Sequence, residues 1–268
     1  MALVPPETLS PSKVSSFKDC ALAFRFSAID RLPEAPSVAA TRGTLVHLAL
    51  EHLFEREPAE RTRANADQDL DRAIAEIRTD PEFLGLDLDA DAEQSFFTEA
   101  GSLIDTYFTL EDPTAIHPIG LELMLEARVG GLHLRGIIDR LELDADGNMV
   151  VTDYKTGRAP GAAYAQGRLG GVNFYALLCQ ELFGVLPAKV QLLYLGDGTA
   201  LTTQPTDQAT RALRSKVGAI WQAVETACQR EDFRPRPGPL CNWCSFQAYC
   251  PSQGGDISLV TSAVSMAS

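Results

Sequence analysis

Apolar positions along the chain follow two rhythms. Up to about residue 111 they recur three and four apart, the spacing of one helix face, and from Leu121 to Tyr154 they fall into short strand-like runs. The opening Leu9-Ser10-Pro11-Ser12-Lys13 suits a helix N-terminus and predicts a first helix over residues 9–30. That helix carries Phe17 and Cys20, with Phe24 and Phe26 close behind. A Pro- and Ala-containing stretch from Pro33 to Ala40 breaks it. A second helix is expected from Gly43 to Arg56, with Leu45, Leu48, Leu53 and Phe54 supplying apolar surface. Further helical patterns cover residues 67–79 and 91–111, both acidic on the face left to solvent.

Three consecutive strands follow: Leu121 to Val129, Leu132 to Leu143 and Met149 to Tyr154. Gly130-Gly131 and Asp144-Ala145-Asp146-Gly147-Asn148 supply the turn chemistry of two hairpins. A helix from Gly170 to Phe183, a strand from Lys189 to Leu195 and a long amphipathic helix from Thr206 to Arg230 complete the pattern. Residues 252–268 are small and polar and read as a flexible tail. This order predicts one mixed α/β domain over residues 1–251. It divides into a helical portion (41–118), a sheet core (119–204), and a C-terminal helix with a cysteine cluster (205–251). The helical stretch reads as an insertion before the sheet, or as a lobe of its own.

With 268 residues, 45% of them hydrophobic and 22% charged, the chain can bury an ample core. No run of about 18 apolar residues suggests a membrane span. The N-terminus lacks a basic region followed by an apolar stretch, so a cytoplasmic protein is the default expectation. The net charge of −13 runs against broad nucleic-acid binding and points instead to a local cleft with steep salt dependence. Six cysteines are unevenly spaced. Cys241, Cys244 and Cys250 cluster, Cys20 stands alone, and Cys179 and Cys228 sit inside helical patterns as core residues. In a cytosolic chain that spacing argues for metal or cluster ligation over disulfides.

The chemistry concentrates in Gly136-Ile137-Ile138-Asp139-Arg140 and Val150-Val151-Thr152-Asp153-Tyr154-Lys155-Thr156-Gly157. Each segment brings a carboxylate to the end of an apolar stretch, where a charge is costly unless it has a partner. Two carboxylates and a lysine on adjacent strands suit metal-dependent phosphodiester hydrolysis. Read blandly, Asp139 pairs with Arg140 and Asp153-x-Lys155 ends a strand. In Gly43-Thr44-Leu45-Val46-His47, His47 lies one turn past a glycine and shares a face with Glu51. Alone it is a helix histidine; beside Asp139 and Asp153 it is a nitrogen ligand. His52, His117 and His133 read as structural. Cys241, Cys244, Cys250 and Cys20 suit an iron–sulfur cluster, with tetrahedral zinc as the other option. Tyr175, one turn past Gly171, reaches a phosphate or packs with its hydroxyl at the surface.

Together these motifs resemble the PD-(D/E)XK nuclease superfamily in its RecB-like exonuclease branch. The iron–sulfur members, such as the AddB nuclease domain and CRISPR-associated RecB-like exonucleases, are similar in layout. The resemblance covers roughly residues 9–251 and implies a restriction-endonuclease-like core: a mixed sheet flanked by helices, with a helical insertion. It further implies that His47, Asp139, Asp153 and the backbone carbonyl of Tyr154 ligate Mg2+ or Mn2+, that Lys155 activates the attacking water, and that Tyr175 positions substrate. Cys20, Cys241, Cys244 and Cys250 would bind a [4Fe–4S] cluster that clasps the two ends, which have little core otherwise. The implied activity is a DNA exonuclease on single strands or ends, in repair or recombination, with translocation left to a helicase partner. One departure stands out: Gly171 occupies the place of the family's usual glutamine, and neither Gln166 nor Asn173 has its spacing. That departure and the acidic charge favour a competing reading, a catalytically weak DNA-binding or scaffold subunit of a helicase–nuclease complex.

Overall fold

The computed structural model describes residues 3–260 and, of residues 162–170, the backbone alone. In chain order the helices before the sheet are α1 (Pro11–Asp19), α2 (Ala21–Phe24), α3 (Val38–Glu55), α4 (Arg63–Ile77), α5 (Pro81–Leu84) and α6 (Ala90–Leu110). Then come β1 (His117–Val129), β2 (Leu132–Leu143), β3 (Met149–Lys155), α7 (Ala162–Phe183), β4 (Lys189–Tyr194), β5 (Thr199–Thr203) and α8 (Asp207–Arg230). The contacts divide the chain into two compact units. The larger comprises residues 36–125 and 136–210, and the smaller draws on residues 1–35, 126–135 and 211–268.

The helices of the larger unit are set by their caps. The Ser37 hydroxyl accepts from the Ala40 N–H, and Thr62 and Asp89 accept from Asn65 and Ala92 in the same way. The Ser37 cap starts α3 at Val38, five residues before the expected Gly43, so the break ends at Ser37 and not at Ala40. Leu45, Val46, Ala49, Leu50 and Leu53 of α3 are buried against Leu70, Ala73 and Ile77 of α4 and Phe96, Ala100, Ile104 and Tyr107 of α6. Tyr154, Leu193 and Leu195 join this core from the sheet.

The five strands run in the order β1-β2-β3-β4-β5. Strands β2 and β3 are antiparallel, β3 and β4 parallel, and β4 and β5 antiparallel. A parallel neighbour needs a crossover, which α7 supplies. Strand β5 escapes the sequence pattern because Thr199-Ala200-Leu201-Thr202-Thr203 is a short edge with no buried residue. The turns follow the sequence: Gly130 and Gly131 both have positive φ (56° and 86°), as a two-residue hairpin loop requires. The Asp144 carboxylate accepts from the Asp146 and Asn148 N–H groups.

In the smaller unit the single helix expected over 9–30 is broken twice. Leu9 is not helical; its N–H donates to the His133 carbonyl at 2.9 Å and its carbonyl accepts from Arg135 N–H at 3.0 Å. Cys20 adopts extended backbone (φ −160°, ψ 111°) between α1 and α2, and Arg25–Ile29 continues as a wide π turn. The two chain ends share a core of Leu22, Phe24, Phe26, Leu32, Val224, Cys228, Phe233, Phe246 and Val260. This corrects the expectation that they have little core of their own. Val260 falls within the expected tail, whose residues 261–268 lie outside the described ones. Among the described residues, no helix is long and apolar enough to cross a membrane.

Candidate functional site

The β2–β3 hairpin brings the two aspartates together. Its register pairs Arg140 with Thr152 and Leu143 with Met149, and one further step sets Asp139 beside Asp153. Strand alternation puts Asp153 and Lys155 on one face and Tyr154 on the other. Tyr154 accordingly plugs into the helical core, while its N–H donates to Asp139 Oδ2 at 2.6 Å. Asp153 is buried; Tyr175 Oη donates to its Oδ1 at 3.2 Å. The Lys155 ammonium lies against Asp153 Oδ2 and pairs with it.

Helix α3 supplies the third element. His47 Nε2 sits 3.2 Å from the Tyr154 carbonyl oxygen, and Nδ1 sits 3.7 Å from both Asp139 Oδ2 and Glu122 Oε1. The ligand atoms of His47, Glu122 and Asp139 all lie within 4.8 Å of one another. Glu122 is a participant that the sequence pattern concealed. In β1 the exposed positions are odd-numbered before Gly120 and even-numbered from Met124 on, so one extra residue has been inserted. Glu122 sits in this bulge with φ +41°. Alternation with Met124, Glu126 and Arg128 makes Glu122 read as solvent-facing; the bulge re-aims it toward His47. Positive φ in a non-glycine residue costs of order 1–3 kcal/mol and survives only where the surroundings impose it.

Burial, followed by the neighbouring Asp153 charge, pushes the Asp139 carboxyl up to about 7. Burial alone would lower the His47 pKa, but Glu122, Asp139 and Asp153 outweigh it and raise it. Lys155 behaves alike: burial pulls down, and Asp153 more than compensates. Tyr175 is held protonated by burial and by both aspartates, so its hydroxyl stays a donor. The group carries more negative charge than one histidine and one lysine offset, which suits a divalent cation.

Arg140 settles the bland reading of Asp139. It does not pair with Asp139; it is fully buried on the opposite face, where Nη2 donates to both Glu111 oxygens at 2.9 and 2.8 Å. Its Nε contacts Glu142, its Nη1 donates to Tyr154 Oη at 2.7 Å, and its guanidinium stacks 4.6 Å above the Phe54 ring. Gln191 closes the network through Glu111 and Thr152. Arg140 thereby anchors Tyr154, the residue whose main chain meets both Asp139 and His47. Glycines set the remaining approach. A Cβ on Gly136 would come within 2.9 Å of Leu178 and 3.2 Å of Tyr175, so its absence lets α7 bring Tyr175 in. Gly171 is exposed with open space around it, and the Gln166 side chain lies outside the described residues.

In the smaller unit Cys20, Cys241, Cys244 and Cys250, all half-buried, line one cavity of about 600 Å³. The Arg236 N–H donates to Cys20 Sγ and the Gly238 N–H to Cys241 Sγ, each at 3.4 Å. Backbone N–H groups aimed at sulfur stabilise thiolate ligands, so these residues fit a thiolate-bound metal group. Cys179 and Cys228 are buried core residues, as expected; burial pushes the Cys179 thiol up to about 12.

The curated relatives include the Gene 69 protein of Mycobacterium phage L5, 28% identical over 134 residues that make up 49% of this chain and 44% of that protein. The chain thus spans less than half the length of that relative. The Gene 69 protein of Mycobacterium phage D29 is 23% identical, with 90% of this chain and 96% of that protein aligned. Among solved structures, a candidate exonuclease from Eubacterium rectale shares the fold with a TM-score of 0.53 at 14% identity, covering 89% of this chain and 87% of that one. The PD-(D/E)XK nuclease superfamily model matches residues 8–251. With nearly the whole sequence inside that match, the chain belongs to the PD-(D/E)XK nuclease superfamily.

Proposed function

We propose that this nuclease is a Mg2+- or Mn2+-dependent DNA exonuclease acting on single strands or ends. One observation carries the reading: His47, Asp139, Asp153 and the Tyr154 carbonyl, from three separate chain segments, converge beside Lys155. Asp139, Asp153, His47 and the Tyr154 carbonyl would hold the cation, with Glu122 as a further carboxylate. When bound, the ion supplies Lewis acidity at the scissile phosphate. Lys155, held by Asp153, orients and activates the attacking water. Tyr175, a permanent donor, steadies the Asp153 carboxylate and faces substrate with it. The Arg140 network keeps Tyr154 fixed, so the ligands need no rearrangement before reaction.

The cysteine site is read as a [4Fe–4S] cluster that clasps Cys20 to the C-terminal cysteines, with zinc the competing occupant. Iron and acid-labile sulfide in anaerobically purified protein support the cluster, and stoichiometric zinc overturns it. A cytoplasmic repair or recombination role beside a helicase completes the proposal. Linear and circular single-stranded DNA, each incubated with Mn2+, test the exonuclease reading. It predicts loss of the linear form with the circle intact. Linearisation of the circle marks an endonuclease, and neither product favours the non-catalytic scaffold subunit.

A further inference from the structure

Trp243 is the most exposed large apolar residue of the described chain, at 86%, and Leu240 in the same short turn is 63% exposed. Burying a ring that size is favourable, so leaving it in water invites an occupant. Trp243 sits between Cys241 and Cys244 and borders the cysteine-lined cavity. The other tryptophan, Trp221, is half-buried and its Nε1 donates to Glu225.

The surroundings of Trp243 have a distinct charge. From Phe233 through Gly255 the sequence holds two arginines and no carboxylate, in a chain with 36 acidic residues. Across the whole molecule the charge is segregated: residues 1–35, 126–135 and 211–268 carry 12 lysines and arginines against 9 aspartates and glutamates. The rest carry 11 against 27. Arg236 is exposed but not loose, because its Nη1 donates to the Lys18 carbonyl at 3.0 Å and its N–H donates to Cys20 Sγ. Pro235, Pro237 and Pro239 stiffen the segment that presents it. Lys18 is exposed beside it; Asp19 is the one carboxylate bordering the cavity.

An exposed aromatic on the rim of a cavity that a tethered arginine also lines is an arrangement suited to single-stranded nucleic acid: bases stack on the ring and phosphates meet the basic groups. We propose that Trp243 stacks on a base of single-stranded DNA, with Arg236 and Lys18 on its phosphates. The inference rests on the DNA-nuclease reading above and adds a contact outside the Asp139–Asp153 centre. It also explains how an acidic protein meets a polyanion: the DNA uses the smaller, basic unit.

The test is fluorescence anisotropy with a fluorescein-labelled oligothymidylate strand and metal-loaded protein, without added divalent cation, so that binding is read without cleavage. Wild type, Trp243→Ala and Trp243→Phe are compared, with thermal stability and iron content as controls that an exposed side chain should leave unchanged. Stacking predicts that Trp243→Ala weakens binding on the order of 10-fold and that Trp243→Phe restores most of it. It predicts quenching of tryptophan fluorescence in wild type, and a salt slope about 1 shallower in Arg236→Ala. Equal binding by wild type and Trp243→Ala overturns the proposal while leaving the nuclease reading intact. Trp243-dependent binding supports it; if the same protein then leaves the strand intact after Mn2+ is added, the nuclease reading falls while the stacking contact stands. No binding by wild type overturns the proposal, and cleavage on adding Mn2+ then decides the nuclease reading separately.

Discussion

Single residues decide whether the site can hold a cation. Asp139, raised to about 7, is protonated below that pH and must lose its proton to accept a metal. Stabilisation by Mg2+ or Mn2+ should therefore grow from pH 6 to pH 8, measured as a shift in Tm with and without the ion. The sign reverses in metal-free protein. There the raised Asp139 contributes stability that is full below its unfolded pKa near 3.8 and lost as pH rises through about 7. Glu122 gives a second prediction: Glu122→Gly relieves its positive φ, so metal-free stability holds or rises by about 1 kcal/mol, while the metal-dependent Tm shift shrinks. An undiminished shift would remove Glu122 from the ligand group. Asp139, Asp153 and Lys155 were legible in the sequence because charges ending buried strands need a reason. Glu122 was not, since a bulge leaves no mark in an alternating pattern.

At the scale of elements, the hairpin and α3 are held by contacts on the face away from the chemistry. Replacing Arg140 with methionine strands Glu111 and Glu142 in a nearly dry setting, a loss of about 3–5 kcal/mol measurable by urea unfolding. The loops after β3 and β4 also meet closely. A Cβ on Gly196 would lie 2.7 Å from the Gly157 backbone, so Gly196→Ala must push aside the segment that follows Lys155. We expect it to lower both stability and turnover, whereas Gly171→Gln, in open space on α7, should stabilise by about 0.5–1 kcal/mol. Helices and hairpins were readable from caps, periods and glycine pairs. The early start of α3 was not, because it depends on one local hydrogen bond to the Ser37 hydroxyl, and the break at Cys20 was not, because no side-chain cap announces it. Strand β5 was lost for another reason: an edge strand buries too little to imprint a pattern.

For the whole molecule the family is readable from the motifs, whereas the partition of charge is not. A net charge of −13 argues against nucleic acid until the acidic residues are seen to gather in the unit that carries Asp139 and Asp153. If the cysteine site holds a cluster, Cys244→Ser should lower iron content and Tm together. The Mg2+-dependent shift at Asp139 should persist in whatever fraction remains folded. The most direct test of the central claim is degradation of end-labelled single-stranded DNA by anaerobically purified protein in Mg2+ or Mn2+, with Lys155→Ala and Asp153→Asn alongside. The account predicts metal-dependent shortening by wild type and a loss of at least about 100-fold in both variants, the scale of a missing acid–base or metal-holding group. Cleavage that survives either substitution, or no cleavage by fully loaded wild type, would contradict it.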